Sequence, residues 1–152
     1  MVYMSEDTKV ESIQKQQNIV PEEEVYRQRK DKLERLRNET GYDPFEQNRW
    51  EVKNSLGHIR EKYDVLKNEE WSEDILQTAG RIMLLRRHGK TAFASFDDGE
   101  NKIQLCFQYD VLGEEIYSFF KKWVDAGDFL GVEGVAFRTQ RGELTVSVKN
   151  FV

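Results

Sequence analysis

From Trp71 onward the apolar residues recur in steps of two, broken once by a stretch in steps of three and four. Side chains alternate across a strand and return every third or fourth residue on a helix, so this half of the chain reads as strands around one helix. Asp74 to Arg87 is a long first strand, interrupted by Gly80, where a small barrel needs to bend. His88-Gly89 turns the chain into a second strand, Thr91 to Asp97, with Phe93 and Phe96 on opposite faces. Asp98-Gly99 turns it again into a third, Lys102 to Gln108. Leu112 to Val124 then predicts an amphipathic helix with Ile116, Phe119, Phe120 and Trp123 as its apolar face, ended by Gly127. Phe129 to Phe137 is a fourth strand, Thr139-Gln140-Arg141-Gly142 a turn, and Leu144 to Phe151 a fifth.

Three strands, a helix and two strands is the order of the OB-fold, a five-stranded Greek-key barrel whose habit is to bind oligonucleotides. The expected class is therefore mainly β with helices, a β-β-β-α-β-β barrel preceded by an N-terminal α-helical segment. A fold hosts many functions, so the site has to be argued by itself.

Upstream, residues Met1 to Val20 are polar, with Gln14, Gln16, Gln17 and Asn18 breaking any apolar period, and read as a disordered or loose tail. Pro21 suits a helix start, and Glu22, Glu23 and Glu24 complement the positive end of its dipole. That helix runs to about Asn38 and stops at Gly41. Between Val25 and Arg37 it carries six basic residues, including Arg29, Lys30 and Arg37, against Asp31 and Glu34, a local excess of four positive charges. Such a cluster is either a solvated face or a phosphate-contacting one. After a turn-rich connector, Ser55 can cap a shorter helix whose Leu56, Ile59, Tyr63 and Leu66 form a packing stripe. The expected organisation is a tail over 1–20, a helical segment and connector over 21–70, and the barrel over 71–152.

Composition removes several classes. Charged residues make up 34% of the 152 residues, but the net charge is −5, which excludes a wholly basic nucleic-acid coat and leaves local patches open. The single cysteine, Cys106, forms no intrachain disulfide or Cys-rich zinc site, and its place in the third strand reads as a buried structural thiol. His58 and His88 lack a His or Cys at metal-ligand spacing, and no Gly-rich phosphate loop is present. With no secretory start and no apolar run near the ~18 residues that span a bilayer, the expectation is a soluble, cytoplasmic protein with no membrane partner.

A binding constellation remains. Arg81, Arg86, Arg87, His88 and Lys90 lie within ten residues without an acidic neighbour, and they lead into Phe93. Gln104 follows one strand later, and Glu143 follows the Gly142 turn. Taken singly, these are core, surface and turn residues. Taken together in this strand order, they supply a ring to stack a base, a cation for phosphate, and an amide and carboxylate for a base edge.

The motifs Ala79-Gly80-Arg81-Ile82-Met83, Arg86, His88-Gly89-Lys90 and Phe93 resemble the first hairpin of the anticodon-binding domain of class II lysyl-tRNA synthetases. Lys102-Ile103-Gln104-Leu105, Gly131-Val132-Glu133-Gly134, Phe137-Arg138-Thr139 and Gly142-Glu143-Leu144-Thr145-Val146 continue the resemblance. It extends upstream through Arg29 to Arg37 and Tyr42-Asp43-Pro44-Phe45, and so runs from about Tyr26 to Val152. The aspartyl and asparaginyl enzymes share the fold, but the His88-Gly89-Lys90 hairpin and the Gly142-Glu143-Leu144-Thr145 ending fit the lysyl family better. Leu84 and Leu85 stand where the pattern expects a polar or basic residue, and Cys106 where an aromatic is frequent.

The resemblance implies that Phe93 stacks on the central uridine of the lysine anticodon. Gln104 and Glu143 would hydrogen-bond its edge, with Arg86 and Arg81 beside them. Arg87, His88, Lys90, Arg29, Lys30 and Arg37 would meet the RNA backbone. The partner implied is the anticodon stem-loop of a lysine tRNA. ATP and Mg²⁺, and the contact that pairs two copies, would belong to a catalytic domain whose motifs are not among these residues, so this piece is expected to be inactive as a ligase alone. The alternatives are a stand-alone OB protein for single strands and a protein-interaction module.

Overall fold

A computed structural model describes residues 21–46 and 49–152; the expected loose tail lies outside the described residues. They divide into two compact units, one ending at Asp43 and one running from Pro44 to Val152.

The first unit is helix α1 (Glu22–Thr40). Its first turn carries Glu22, Glu23 and Glu24, and the carbonyl of Pro21 accepts from the N–H groups of Glu24 and Val25. None of its side chains is buried. Pairs one turn apart support it instead, among them Arg27 with Glu24 and Arg35 with Glu39. It extends two residues beyond Asn38. The Thr40 hydroxyl donates to the Leu36 carbonyl at 2.6 Å, and the Gly41 N–H to that of Arg37 at 2.9 Å.

The second unit opens with a 3₁₀ turn (Pro44–Glu46) and helix α2 (Leu56–Tyr63). Ser55 caps α2 by accepting from the His58 N–H. Leu56, Ile59 and Tyr63 are buried and belong to the barrel core. The barrel unit therefore starts well before residue 71, because α2 and its lead-in have their partners on it. The Trp50 ring lies against Gly131 and donates from Nε1 to the Thr78 carbonyl at 2.8 Å, while the N–H groups of Lys53 and Asn54 both reach the Gln77 carbonyl.

Strands β1 (Trp71–His88), β2 (Thr91–Asp97), β3 (Lys102–Gln108), β4 (Phe129–Arg138) and β5 (Leu144–Phe151) close a barrel in the order β1-β2-β3-β5-β4. β3 and β5 run parallel and the remaining pairs antiparallel. β1 is long because it serves two partners: Trp71 to Arg81 pair with β4, and Arg81 to His88 with β2. The exchange falls at Arg81, next to Gly80, where a Cβ would sit 2.7 Å from the Asp97 carbonyl oxygen. Just beyond it, Ile82 pairs with Phe96 but Leu84 with Ser95, so one extra residue makes a β-bulge.

Between β3 and β4 the expected single helix is two: α3 (Tyr109–Leu112) and α4 (Glu114–Trp123), divided at Gly113, whose φ of +85° a helix cannot continue through. The face that α4 turns to the barrel also differs from the expected apolar face, which is corrected. Tyr117, Phe120 and Trp123 are buried with Leu112, whereas Ile116 is exposed and Phe119 only half-buried. Phe120 stacks on Phe107 of β3 with ring centroids 4.0 Å apart.

Candidate nucleic-acid interface

The hairpin β1–β2 and strand β3 present one side of the barrel wall, and the turn between β4 and β5 borders it. Arg86 is paired across the ladder with Phe93, and Ser95 with Gln104. Gln104 is in turn level with Thr145 of the parallel neighbour β5. Arg86, Phe93, Gln104 and Glu143 thereby line two adjoining hollows of about 260 and 370 Å³. The first extends past Leu84 and Ser95 to Arg60 and Lys102; the second extends past His88 to Thr139, Gln140 and Arg141. Each has room for an unstacked base.

The four central side chains differ in how firmly they are held. Phe93 is half-buried, and its ring stacks on no other aromatic among the described residues, unlike Phe107, Phe120 and Phe151, which pack together. One face of a fixed ring is therefore available to a base. Gln104 is oriented by a relay. The buried Thr145 hydroxyl donates to the Glu143 carbonyl at 3.1 Å and so has only a lone pair to offer Gln104, whose Nε2 donates to it at 3.0 Å. One amide N–H and the amide oxygen are left for a ligand.

The Glu143 backbone is held from several sides. Its N–H donates to the Thr139 hydroxyl at 3.0 Å, and its carbonyl also accepts the Thr139 N–H at 2.9 Å. Its carboxylate, exposed at the rim, accepts from no group among the described residues. Arg86 is exposed in the same walls.

Not every expected residue arrives there. Arg81 lies at the exchange point of β1, where its Nε donates to the Gly127 carbonyl at 3.1 Å and its guanidinium covers the Phe129 ring. Arg87 points to the opposite face from Arg86: it donates to the Val124 carbonyl, lies 5.8 Å from the Phe120 ring centroid and pairs with Asp125 at 3.9 Å. Lys90 rests 4.7 Å from the Tyr109 ring centroid. Neither hollow is lined by Arg81, Arg87 or Lys90. Arg29, Lys30 and Arg37 belong to α1 in the first unit, where Arg37 makes a two-point contact with Asp43 at 2.7 and 3.2 Å.

Three charged lining residues, Arg60, Lys102 and Arg141, were not among the expected site residues. Arg60 of α2 donates to the Lys102 carbonyl at 2.8 Å, which brings its guanidinium beside β3, and Lys102 lies at the same end. The signal for Arg60 was its phase: it falls one residue after the core-facing Ile59, at the edge of the packed stripe.

Among the described residues no group of His, Cys, Asp and Glu could hold a metal ion, and no helix is long and apolar enough to cross a membrane. Cys106 is a free, buried thiol, and burial pushes its pKa up to about 11. It is a poor nucleophile at neutral pH.

Comparison with known proteins bears on the fold and the family. Residues 76–152 match the family model of the tRNA anticodon type, described as an OB-fold nucleic acid binding domain. The chain is 41% identical over 121 residues to a lysine–tRNA ligase of Methanoculleus marisnigri, a match covering 80% of this chain and 23% of that one. It is 45% identical over 123 residues to a lysine–tRNA ligase of Lactococcus lactis, covering 80% of this chain and 24% of that one. The chain thus spans about a quarter of the length of the curated relatives it matches.

Proposed function

The chain belongs to the OB-fold nucleic acid binding family of tRNA anticodon type, and from that premise we propose that it is the anticodon-binding module of a lysine–tRNA ligase. In this reading the base stacked on Phe93 is the central uridine of the lysine anticodon. The observation that carries it is the unstacked Phe93 ring beside an oriented Gln104 amide and a Glu143 carboxylate that only accepts. Uracil offers a carbonyl acceptor next to an N–H donor. The spare Gln104 N–H suits the first and the Glu143 carboxylate suits the second. Cytosine presents the reverse order of donor and acceptor on the same edge, and each polar group left unpaired costs about 1–3 kcal/mol.

Arg86, Arg60, Lys102 and Arg141 supply the charge for phosphates, a contribution independent of sequence. Ligation itself, with ATP and Mg²⁺, is assigned in this reading to another part of a larger enzyme, and so is any pairing of two copies.

The test is a titration with two anticodon stem-loops, one reading UUU and one with the central U changed to C, at one salt concentration. Tighter binding of UUU, with the gap removed by Gln104→Ala or Glu143→Ala, is the expected result. Equal binding of both loops by the unaltered chain would make the barrel a generic single-strand binder.

A further inference from the structure

Arg138, at the end of β4, donates to a backbone carbonyl from each of its three guanidinium nitrogens. Nε donates to Leu66 at 2.7 Å, one terminal nitrogen to Gly142 at 2.9 Å and the other to Asp64 at 3.1 Å. Leu66 and Asp64 lie in the connector between α2 and β1, whereas Gly142 is the peptide immediately before Glu143. The same connector reaches the same turn a second time, because Asn68 donates from Nδ2 to the Gln140 carbonyl at 3.1 Å. Main-chain bonds from Glu69 N–H to the Arg138 carbonyl and from Arg138 N–H to the Glu70 carbonyl lock the connector alongside. Glu69 adopts a φ of +65°, the one non-glycine residue with a positive φ among those described. A short surface turn is thus tied at two points to a connector that accepts an unfavourable backbone conformation to reach it.

We propose that Arg138, seconded by Asn68, is a positioning residue for base readout: it clamps the β4–β5 turn to the α2–β1 connector so that the Glu143 carboxylate stays beside Gln104. The proposal rests on the uridine reading above. Neither side chain lines the hollows, so both act on the site through the turn. The Arg138 side chain is 17% exposed, and the Asp64 carboxylate, 3.8 Å away, is 86% exposed. The clamp therefore works through the carbonyls and owes little to that ion pair.

The experiment uses the full chain with Arg138→Lys, which keeps the charge but cannot reach three carbonyls, and Asn68→Ala, an exposed change that spares the core. Asp64→Asn serves as the charge control. Affinity for the central-U and central-C stem-loops is measured with amide hydrogen exchange of the free protein. Both clamp variants are expected to lower the U-over-C ratio about 3- to 10-fold, the cost of re-ordering a loosened group on binding. They should speed exchange at Gly142 and Glu143 about tenfold while Val146 and Val148 stay protected, since the opening is local. Asp64→Asn should change neither.

An unaltered ratio in both clamp variants, or unaltered exchange at Glu143, overturns the proposal and leaves the uridine reading standing. Equal weakening of both loops together with exchange across β5 overturns it too, because Arg138 would then be merely structural. Absence of U preference in the unaltered chain removes the uridine reading, and the proposal falls with it.

Discussion

Replacing Thr145 by Val tests the site through a residue that no ligand touches. Thr145 is fully buried in β5, and valine matches its shape, so the barrel should keep its packing and lose only a hydroxyl. That hydroxyl accepts from the Gln104 amide at 3.0 Å and donates to the Glu143 carbonyl at 3.1 Å. The carbonyl keeps its bond from the Thr139 N–H, and the half-buried Gln104 can turn to water, so neither partner is stranded. The stability cost should accordingly stay near a single net hydrogen bond, about 1 kcal/mol.

The effect on recognition has a different origin. A Gln104 amide free to rotate must be ordered when the base arrives, at about 0.5–1.5 kcal/mol. That corresponds to a loss of roughly 2- to 12-fold in affinity for the central-U loop. The central-C loop places a donor where the oriented amide N–H would meet the uracil carbonyl, gains nothing from that orientation and should bind as before, so the loss appears in the ratio. Titrating both loops at one salt concentration, with a urea melt alongside, separates the two effects. A melt that falls by about 1 kcal/mol with an unchanged ratio would refute the relay as the device that orients Gln104.

Phe93→Ala should weaken binding of both loops by about 1–3 kcal/mol, since stacking accepts any base; titration of the folded variant checks it. Arg86→Gln should reduce the slope of log affinity against log salt by about 0.7, the value for one single-strand phosphate contact, while Arg87→Gln leaves that slope alone and lowers the melting temperature. Thr78→Val should stabilise the protein by about 1 kcal/mol in a urea melt, because the buried Thr78 hydroxyl finds no partner among the described residues. The raised thiol pKa of Cys106 predicts a pH effect with a definite sign. The thiol's contribution to stability is constant below its ordinary pKa near 9, where both states are protonated, and falls as pH rises from there towards 11. The difference between the unaltered chain and Cys106→Ala across that range isolates it.

Much of the barrel is legible because its signals are local. The bounds of β2, β3 and β5 coincide with those expected from the chain's turns and period, and Ser55 and Gly41 act where capping chemistry puts them. The proximity of Phe93, Gln104 and Glu143 is legible for a related reason: each sits on a regular strand or beside a tight turn, so strand order brings them to the same hollows. Where long-range packing decides, the sequence is mute. Nothing local says that Gly113 breaks a helix, or that Tyr117 stands in place of Ile116 on the buried face. Nor does anything local show that Arg138 reaches carbonyls more than seventy positions away.

The basic hairpin shows the limit most clearly. Plain alternation from the core-facing Ile82 would turn Leu84, Arg86 and His88 inward and leave Leu85 and Arg87 outside. The extra residue between Ile82 and Leu84 reverses that parity, since a slip of one residue moves every later side chain to the other face. Leu85 then packs against the core and Arg87 goes to the Phe120 ring, while Leu84, Arg86 and His88 face the hollows with Phe93. The bulge also accounts for two leucines where a polar residue was expected. One of the pair, half-buried, packs against the core, and the other, 57% exposed, is an apolar wall of the first hollow. Which arginine lines the hollows is therefore decided by one unpaired residue in β1, and both arginines are equally basic in the sequence.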